Sequence, residues 1–233
     1  MLLDTKFFSG QLYWRCAIEK PVPCYDIYIA PSFCWTSVSS VLTADSSVWG
    51  DLSATADSPE SARLGPPIES HLGRIMCKVL DAETTPLSSI DPLGPVTAGF
   101  LTLRAPLIPC LLNSADGEDV AVKSTPDLGF ETSPFYCRFD SIVSRIELPN
   151  GRATVARSQH KQPFYESEAS IILLRTVTDE KTTGSPTVGV EGIILGRCPD
   201  RNGFQRLGYI QIRPPGDISA IDWTGWETEI TIY

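Results

Sequence analysis

At least seven stretches of this chain alternate apolar and polar residues with a period of two, and each is cut off by a turn former. In "QLYWRCAI", Leu12, Trp14, Cys16 and Ile18 fall on one side, while Tyr13, Arg15 and Ala17 fall on the other. "RIMCKVLDA", "AGFLTLRAPLI", "FYCRFDSIV", "ASIILLRTV", "TVGVEGIILGRC", "FQRLGYIQI" and "TEITIY" read the same way. Such runs are short, β-branched or aromatic, and bounded by Gly, Pro, Asp or Ser, which is the signature of strands. Most of the 19 prolines and 17 glycines fall between them. Proline cannot donate to a ladder, so its placement marks where strands stop. Helix signals are thin: only "SPESARLG" pairs a capping serine with a glycine stop. The pattern predicts an all-β fold with less than about a fifth helix. It is a single antiparallel β-barrel or sandwich spanning 1–233, with long loops over Asp45–Pro67, Ala156–Ser167 and Asp179–Pro186. Closure or sandwiching is the simplest way to remove free sheet edges.

Charge narrows the partners. The formal net charge is -9, which argues against a nucleic-acid binder, since that function needs a basic face to displace counterions. It also disfavours docking on an anionic membrane. No apolar run approaches the roughly 18 residues of a spanning helix, and "MLLDTKFF" is too short and mixed for a signal peptide. The expected location is intracellular, in the cytoplasm. The seven cysteines (Cys16, Cys24, Cys34, Cys77, Cys110, Cys137 and Cys198) are odd in number and form no C-x-x-C pair, so reduced, buried thiols are expected.

Familiar catalytic patterns are missing. The two histidines, His71 and His160, are far apart, and no His/Cys cluster has zinc spacing. No nucleophile elbow, phosphate loop or dinucleotide fingerprint occurs. An enzyme built on this chain is therefore expected to work with no cofactor and no metal.

One short stretch, "YIAPSFCWTS" at Tyr28 to Ser37, packs two aromatics around a cysteine after Ala-Pro. It resembles the A-P-S-W-S-W-A-S element of large fungal heterokaryon-incompatibility (HET) domain proteins, where it opens a β-rich C-terminal region. Phe33 stands at the first tryptophan of that element and Trp35 at the second. "QLYW" resembles the family's Leu-Leu-Trp element at Leu12 to Trp14. Further on, Leu93 and Gly94 match a loop, and Gly99, Leu101 and Leu103 match a "G-x-L-x-L" strand. Asp140 closes an extended segment, and Gly192, Leu195, Arg206 and Gly208 match the last paired strands. The resemblance runs from about Leu12 to Tyr233. The incompatibility domain itself is not among the matched pieces, and no room for it precedes Leu12, so its cell-death signalling is not expected.

The resemblance implies two functional classes. Free-standing HET-like proteins are associated with fungal terpenoid biosynthesis, including norbornene-forming intramolecular Diels–Alder chemistry on sordaricin-type routes. The first expectation is thus a cofactor-independent pericyclase acting on an apolar terpenoid. Cycloaddition needs a pocket that folds the substrate into a near-attack conformer, and one donor aimed at the dienophile carbonyl. The second is a non-enzymatic protein-binding or regulatory module; a fragment of a larger protein is a third. A cavity of several hundred Å³ favours the enzyme, and a filled barrel favours the module. Candidate donors are the polar residues on apolar strands and in the loop before Ser167: Tyr13, Arg15, Tyr136, Arg138, His160 and Tyr165. Trp14, Trp35, Trp223 and Trp226 are candidate walls for the substrate.

Overall fold

The computed structural model describes Leu12 and residues 15–16, 30–33, Ser37, 42–43, 74–88, 96–114, 121–124, 135–160, 164–178, 187–212 and 221–233. Two short strands, β1 (Arg15–Cys16) and β2 (Leu42–Thr43), form a small antiparallel ladder. The remaining ten strands form one large sheet: β3 (Lys78–Pro86), β4 (Val96–Ser114), β5 (Ala121–Ser124), β6 (Phe135–Phe139), β7 (Val143–Glu147), β8 (Ala153–Arg157), β9 (Phe164–Thr178), β10 (Thr187–Arg197), β11 (Phe204–Ile212) and β12 (Glu227–Ile232). A 3-10 turn, Thr224–Trp226, precedes β12. The all-β expectation holds. The sheet is mixed, however: β11–β12 and β8–β9 each touch in parallel at one residue pair.

The 19-residue β4 organises the sheet. Its first half pairs with β3 and β12, and its second half with β5 and β9. The change of partner falls at Pro106, because β12 pairs up to Pro106 and β9 takes over from Leu107. Proline offers no ladder donor, so it suits a place where one partner strand ends and another begins. Through this switch β4, β12, β11, β10 and β9 come round into a partial ring.

Strands β9 and β10 are buried on both faces, which explains their continuous apolar runs "SIILL" and "GIIL". Ile171, Leu173, Val190 and Ile194 enter one core with Ile108, Cys110, Leu112 and Phe164. Ile172, Leu174, Ile193 and Leu195 enter the other with Leu12, Phe33, Leu101, Leu103 and Ile232. Close backbone approach requires glycine at several crossings. A Cβ on Gly192 or Gly208 would lie 2.2 Å from a carbonyl oxygen of the neighbouring strand, and one on Gly99 would lie 2.4 Å from Pro31.

The stretch Ala156–Ser167, expected as a loop, is shorter than that. β8 runs through Arg157 and β9 begins at Phe164, so strand pairing claims both ends. Tyr165 accordingly sits on β9. The loop expectations at Asp45–Pro67 and Asp179–Pro186, and the helical signal "SPESARLG", lie outside the described residues.

The four described cysteines are free. Burial pushes the Cys77 and Cys110 thiols up to about 12. Loss of water raises Cys137 still further, with Cys110 and Asp140 adding to the effect. Desolvation raises Cys198 as well, against the pull of Arg201. A raised pKa suppresses the reactive thiolate at neutral pH. In native protein at pH 8, Cys77, Cys110 and Cys137 are expected to resist a thiol reagent while half-buried Cys198 reacts first among these four. Peptide mapping after a short labelling pulse checks the order. Titration in denaturant is expected to count seven thiols, matching the seven cysteines.

Candidate functional site

Three polar groupings stand out in this apolar sheet, and each depends on a local irregularity of a strand. The first is a buried charge cluster. β11 carries an extra residue, Leu207, because Ile194 faces Gly208 while Leu195 faces Arg206. A bulge re-aims the side chain beside it. Here it turns Arg206 onto the face of Leu195, where the side chain is wholly buried. Arg206 donates from Nε to Asp140 Oδ2 at 2.8 Å and from Nη1 to the Leu12 carbonyl at 2.7 Å. Arg157 approaches the same carboxylate with Nη2 at 3.4 Å and donates to the Ser32 carbonyl at 2.8 Å and to Ser37 Oγ at 2.8 Å. Its Nε reaches the Arg206 carbonyl at 2.9 Å. Ser32 completes the set: its hydroxyl accepts from Arg206 N at 3.0 Å and donates to the Tyr233 carbonyl. One carboxylate thus serves two guanidiniums, and backbone carbonyls accept from the other donors. This grouping ties "APS" at Ala30–Ser32 to the sheet and has a structural role.

The second grouping is a row across three strands. β9 carries an extra residue at Leu174, since Glu191 faces Arg175 while Gly192 faces Leu173. This bulge turns Arg175 toward Glu191, and Nε donates to Oε2 at 2.5 Å. Both side chains are 6% exposed. Gln211, opposite Glu191 on β11, donates to Oε1 at 3.4 Å. The row continues in register to Tyr136 on β6, and Arg138 lies opposite the buried Tyr209 two pairs along. Charged residues this buried, when paired, are candidates for function as well as for specificity of packing.

The third grouping is a cleft of about 210 Å³ on the surface. Ile75, Met76, Pro106, Ile221 and Trp223 supply its apolar walls, while Arg74, Asp222, Glu227, Thr176 and Thr224 supply polar groups. Met76, Ile221 and Trp223 also pack on the core that contains Ile108 and Leu173. The strand β9 holds the rim, with Thr176 N donating to the Arg74 carbonyl at 2.9 Å and Met76 N to the Leu174 carbonyl at 2.8 Å. Asp222 Oδ1 accepts from Thr224 Oγ1 at 2.6 Å and from Thr224 N at 3.0 Å, which fixes the turn presenting Trp223. The hydroxyl bond, then the amide bond, hold the Asp222 carboxyl below its ordinary value. Among the described residues no ion pair joins Arg74 to Asp222 or Glu227, although all three line the cleft.

The residues expected from sequence are scattered over these places. Trp223 lines the cleft, and Trp226, half-buried, ends the 3-10 turn beside it without appearing in the lining. Arg138 is half-buried on β6. His160 and Tyr165 are exposed, Tyr165 to 70%, and neither belongs to the cleft. The side chains of Arg15 and Tyr136 lie outside the described residues, as do Tyr13, Trp14 and Trp35. Sequence reasoning missed Arg74, Arg157, Arg175 and Glu191. The signal for the last two is a lone charge inside an otherwise continuous apolar run, "LLRTV" and "VEGIIL". No protein-family model, no curated protein and no solved structure matches this chain.

The Arg175–Glu191 pair makes a definite prediction. Removing one member leaves the other charge buried, which typically costs about 3–5 kcal/mol. Glu191→Ala is expected to lower unfolding free energy by about that much, whereas Gln211→Ala, which removes a long contact to an already paired carboxylate, is expected to cost about 1 kcal/mol or less. Urea unfolding of the two variants measures both.

Proposed function

We propose that this chain is a cofactor-independent pericyclase that receives an apolar terpenoid at the Trp223 cleft and holds it folded for an intramolecular cycloaddition. The observation that carries the reading is the cleft's composition: a tryptophan and aliphatic walls beside one arginine side chain. Confinement by the walls supplies the near-attack geometry. Arg74, or the Thr176 hydroxyl, supplies a donor for the dienophile carbonyl, where electron density grows in the transition state. The resemblance to HET-like proteins of terpenoid biosynthesis supports the same reading. At about 210 Å³ the cleft is below the roughly 300–1,000 Å³ of pockets that enclose a drug-sized ligand. In this reading it grips the reacting part of the substrate and leaves the remainder along exposed Ile75.

A second reading is a binding module, and a specific observation favours it. The ring interior around Leu101, Leu103, Ile172, Ile193 and Ile232 is filled by side chains with no exposed surface. Such a filled ring acts as a scaffold, and the cleft then serves as a docking point for a partner's apolar side chain.

Incubation with a linked diene–dienophile terpenoid separates the two. The enzyme reading expects faster conversion and a changed diastereomer ratio with protein present. An unchanged rate and ratio across such substrates puts the module first. Trp223→Ala is expected to weaken substrate binding about 30-fold, the roughly 2 kcal/mol of an anchoring tryptophan. Arg74→Leu is expected to slow turnover by up to about 10²–10³-fold while leaving catalysis by confinement. Between pH 6 and 8 the rate is expected to stay flat, since the lining contains no histidine or cysteine. The depressed Asp222 carboxyl stays ionised there, and its hold on the Trp223 turn is lost only as pH falls through that lowered value.

A further inference from the structure

The charged side chains of the cleft are held apart from one another by the strands that carry them. Arg74 stands on the segment tied to β9, where its carbonyl accepts from Thr176 N. Glu227 opens β12, opposite Pro106 of β4. Asp222 sits in the turn before it, with Oδ1 already accepting both bonds from Thr224. In a cleft of about 210 Å³ opposite charges are near neighbours, yet none of the ion pairs formed among the described residues includes Arg74, Asp222 or Glu227. The guanidinium keeps its fork of donors for a ligand, and the Glu227 carboxylate keeps its acceptor sites. Both side chains are exposed, so a ligand can reach them.

The walls between those groups are apolar: Ile75, Met76, Pro106, Ile221 and Trp223. A molecule without polar groups would cover the charges and strip them of solvent with nothing in return, which is costly. An anion would suit Arg74 but not its surroundings. The lining carries two carboxylates, Asp222 and Glu227, to one guanidinium, and the chain as a whole has a net charge of -9. A neutral carbonyl avoids that repulsion and still accepts from Arg74. The remaining demand lies at Glu227, whose acceptor sites only a donor can fill. Asp222 is less suited to that task, because Oδ1 is engaged with Thr224. A hydroxyl is the neutral donor that fits there, and its bond to a carboxylate is charge-assisted.

We infer that the cleft takes an apolar molecule bearing a carbonyl for Arg74 and a separate hydroxyl for Glu227, and that Glu227 is the residue that selects it. This rests on the reading that the cleft binds an apolar small molecule, and it narrows that molecule to a neutral hydroxylated carbonyl compound. The two polar anchors and the Trp223 wall make three points of attachment. A rigid molecule satisfies all three in one hand only, because its mirror image carries the hydroxyl away from Glu227. Glu227 therefore reads handedness as well as the presence of the hydroxyl.

Ligand-observed NMR titration with both enantiomers of camphor and of 5-exo-hydroxycamphor tests this. The probes are rigid and apolar, and they differ by one hydroxyl remote from the carbonyl. The better hydroxycamphor enantiomer is expected to bind the wild-type chain about tenfold more tightly than camphor, and its mirror image about as camphor does. Glu227→Gln, which keeps an uncharged acceptor, is expected to cut that preference to about threefold. Glu227→Leu is expected to abolish it, together with the difference between the hydroxycamphor enantiomers. Arg74→Gln is expected to weaken camphor and hydroxycamphor alike and to leave their ratio unchanged. Glu227 is exposed, so both of its variants are expected to melt as the wild-type chain does. Hydroxycamphor binding no better than camphor, or a preference that survives Glu227→Leu, overturns the inference and leaves the cleft reading standing. Failure of every probe to bind the wild-type chain counts against both.

Discussion

Asp140 lies between two arginines at the point where three distant parts of the chain meet. Its carboxylate takes the Arg206 guanidinium at 2.8 Å and stands 3.4 Å from Arg157. Through those two arginines it fixes the Leu12 carbonyl, the Ser32 carbonyl and Ser37. Through Ser32 it reaches the last strand, because Ser32 N donates to the Tyr233 carbonyl at 3.1 Å. Arg206 and Asp140 are 0% and 1% exposed. Charges so buried persist only with good geometry and with their other donors and acceptors satisfied. The same cluster seats Leu12 and Phe33 over Leu195 and Ile232, so one core depends on a polar lock at its end.

Two buried arginines of the sheet, Arg206 and Arg175, owe their direction to a bulge. Leu207 is the extra residue beside Arg206, and Leu174 is the extra residue beside Arg175. Without those insertions a strict period of two would turn each guanidinium to the opposite face. The two bulges therefore do related work at different places on the sheet. One locks a segment of the chain onto the ring, and the other sets an arginine against Glu191 next to the strand that rims the cleft.

Strand identity was legible because "ASIILLRTV" or "FQRLGYIQI" admits little else, and the prolines and glycines fell between the runs. The residues singled out by resemblance also have physical reasons to be where they are. Gly99 packs against Pro31, Gly208 lies under the Arg138 carbonyl, and Arg206 meets Asp140. What alternation could not convey was register. A bulge costs one residue and leaves no mark in composition, so Arg175 and Glu191 read as ordinary strand residues. The Ala156–Ser167 stretch read as a loop because its polar residues mask pairing at both ends, and strand pairing overrode them. The cleft was legible only in Trp223. Arg74 with Met76, Pro106, and Ile221 come from three separate parts of the chain and meet only after β4 changes partner.

The dependence of the fold on the Asp140 lock is open to a double-mutant cycle in urea with Asp140→Leu and Arg206→Met. Each single change strands buried charge and should lower unfolding free energy by about 3–5 kcal/mol. The double variant, with apolar groups at both positions, should recover part of that loss, giving a coupling of about 2 kcal/mol or more. Single losses below about 1 kcal/mol, or effects that add to within about 0.5 kcal/mol, would show that the cluster merely fills space and that the ring closes without it.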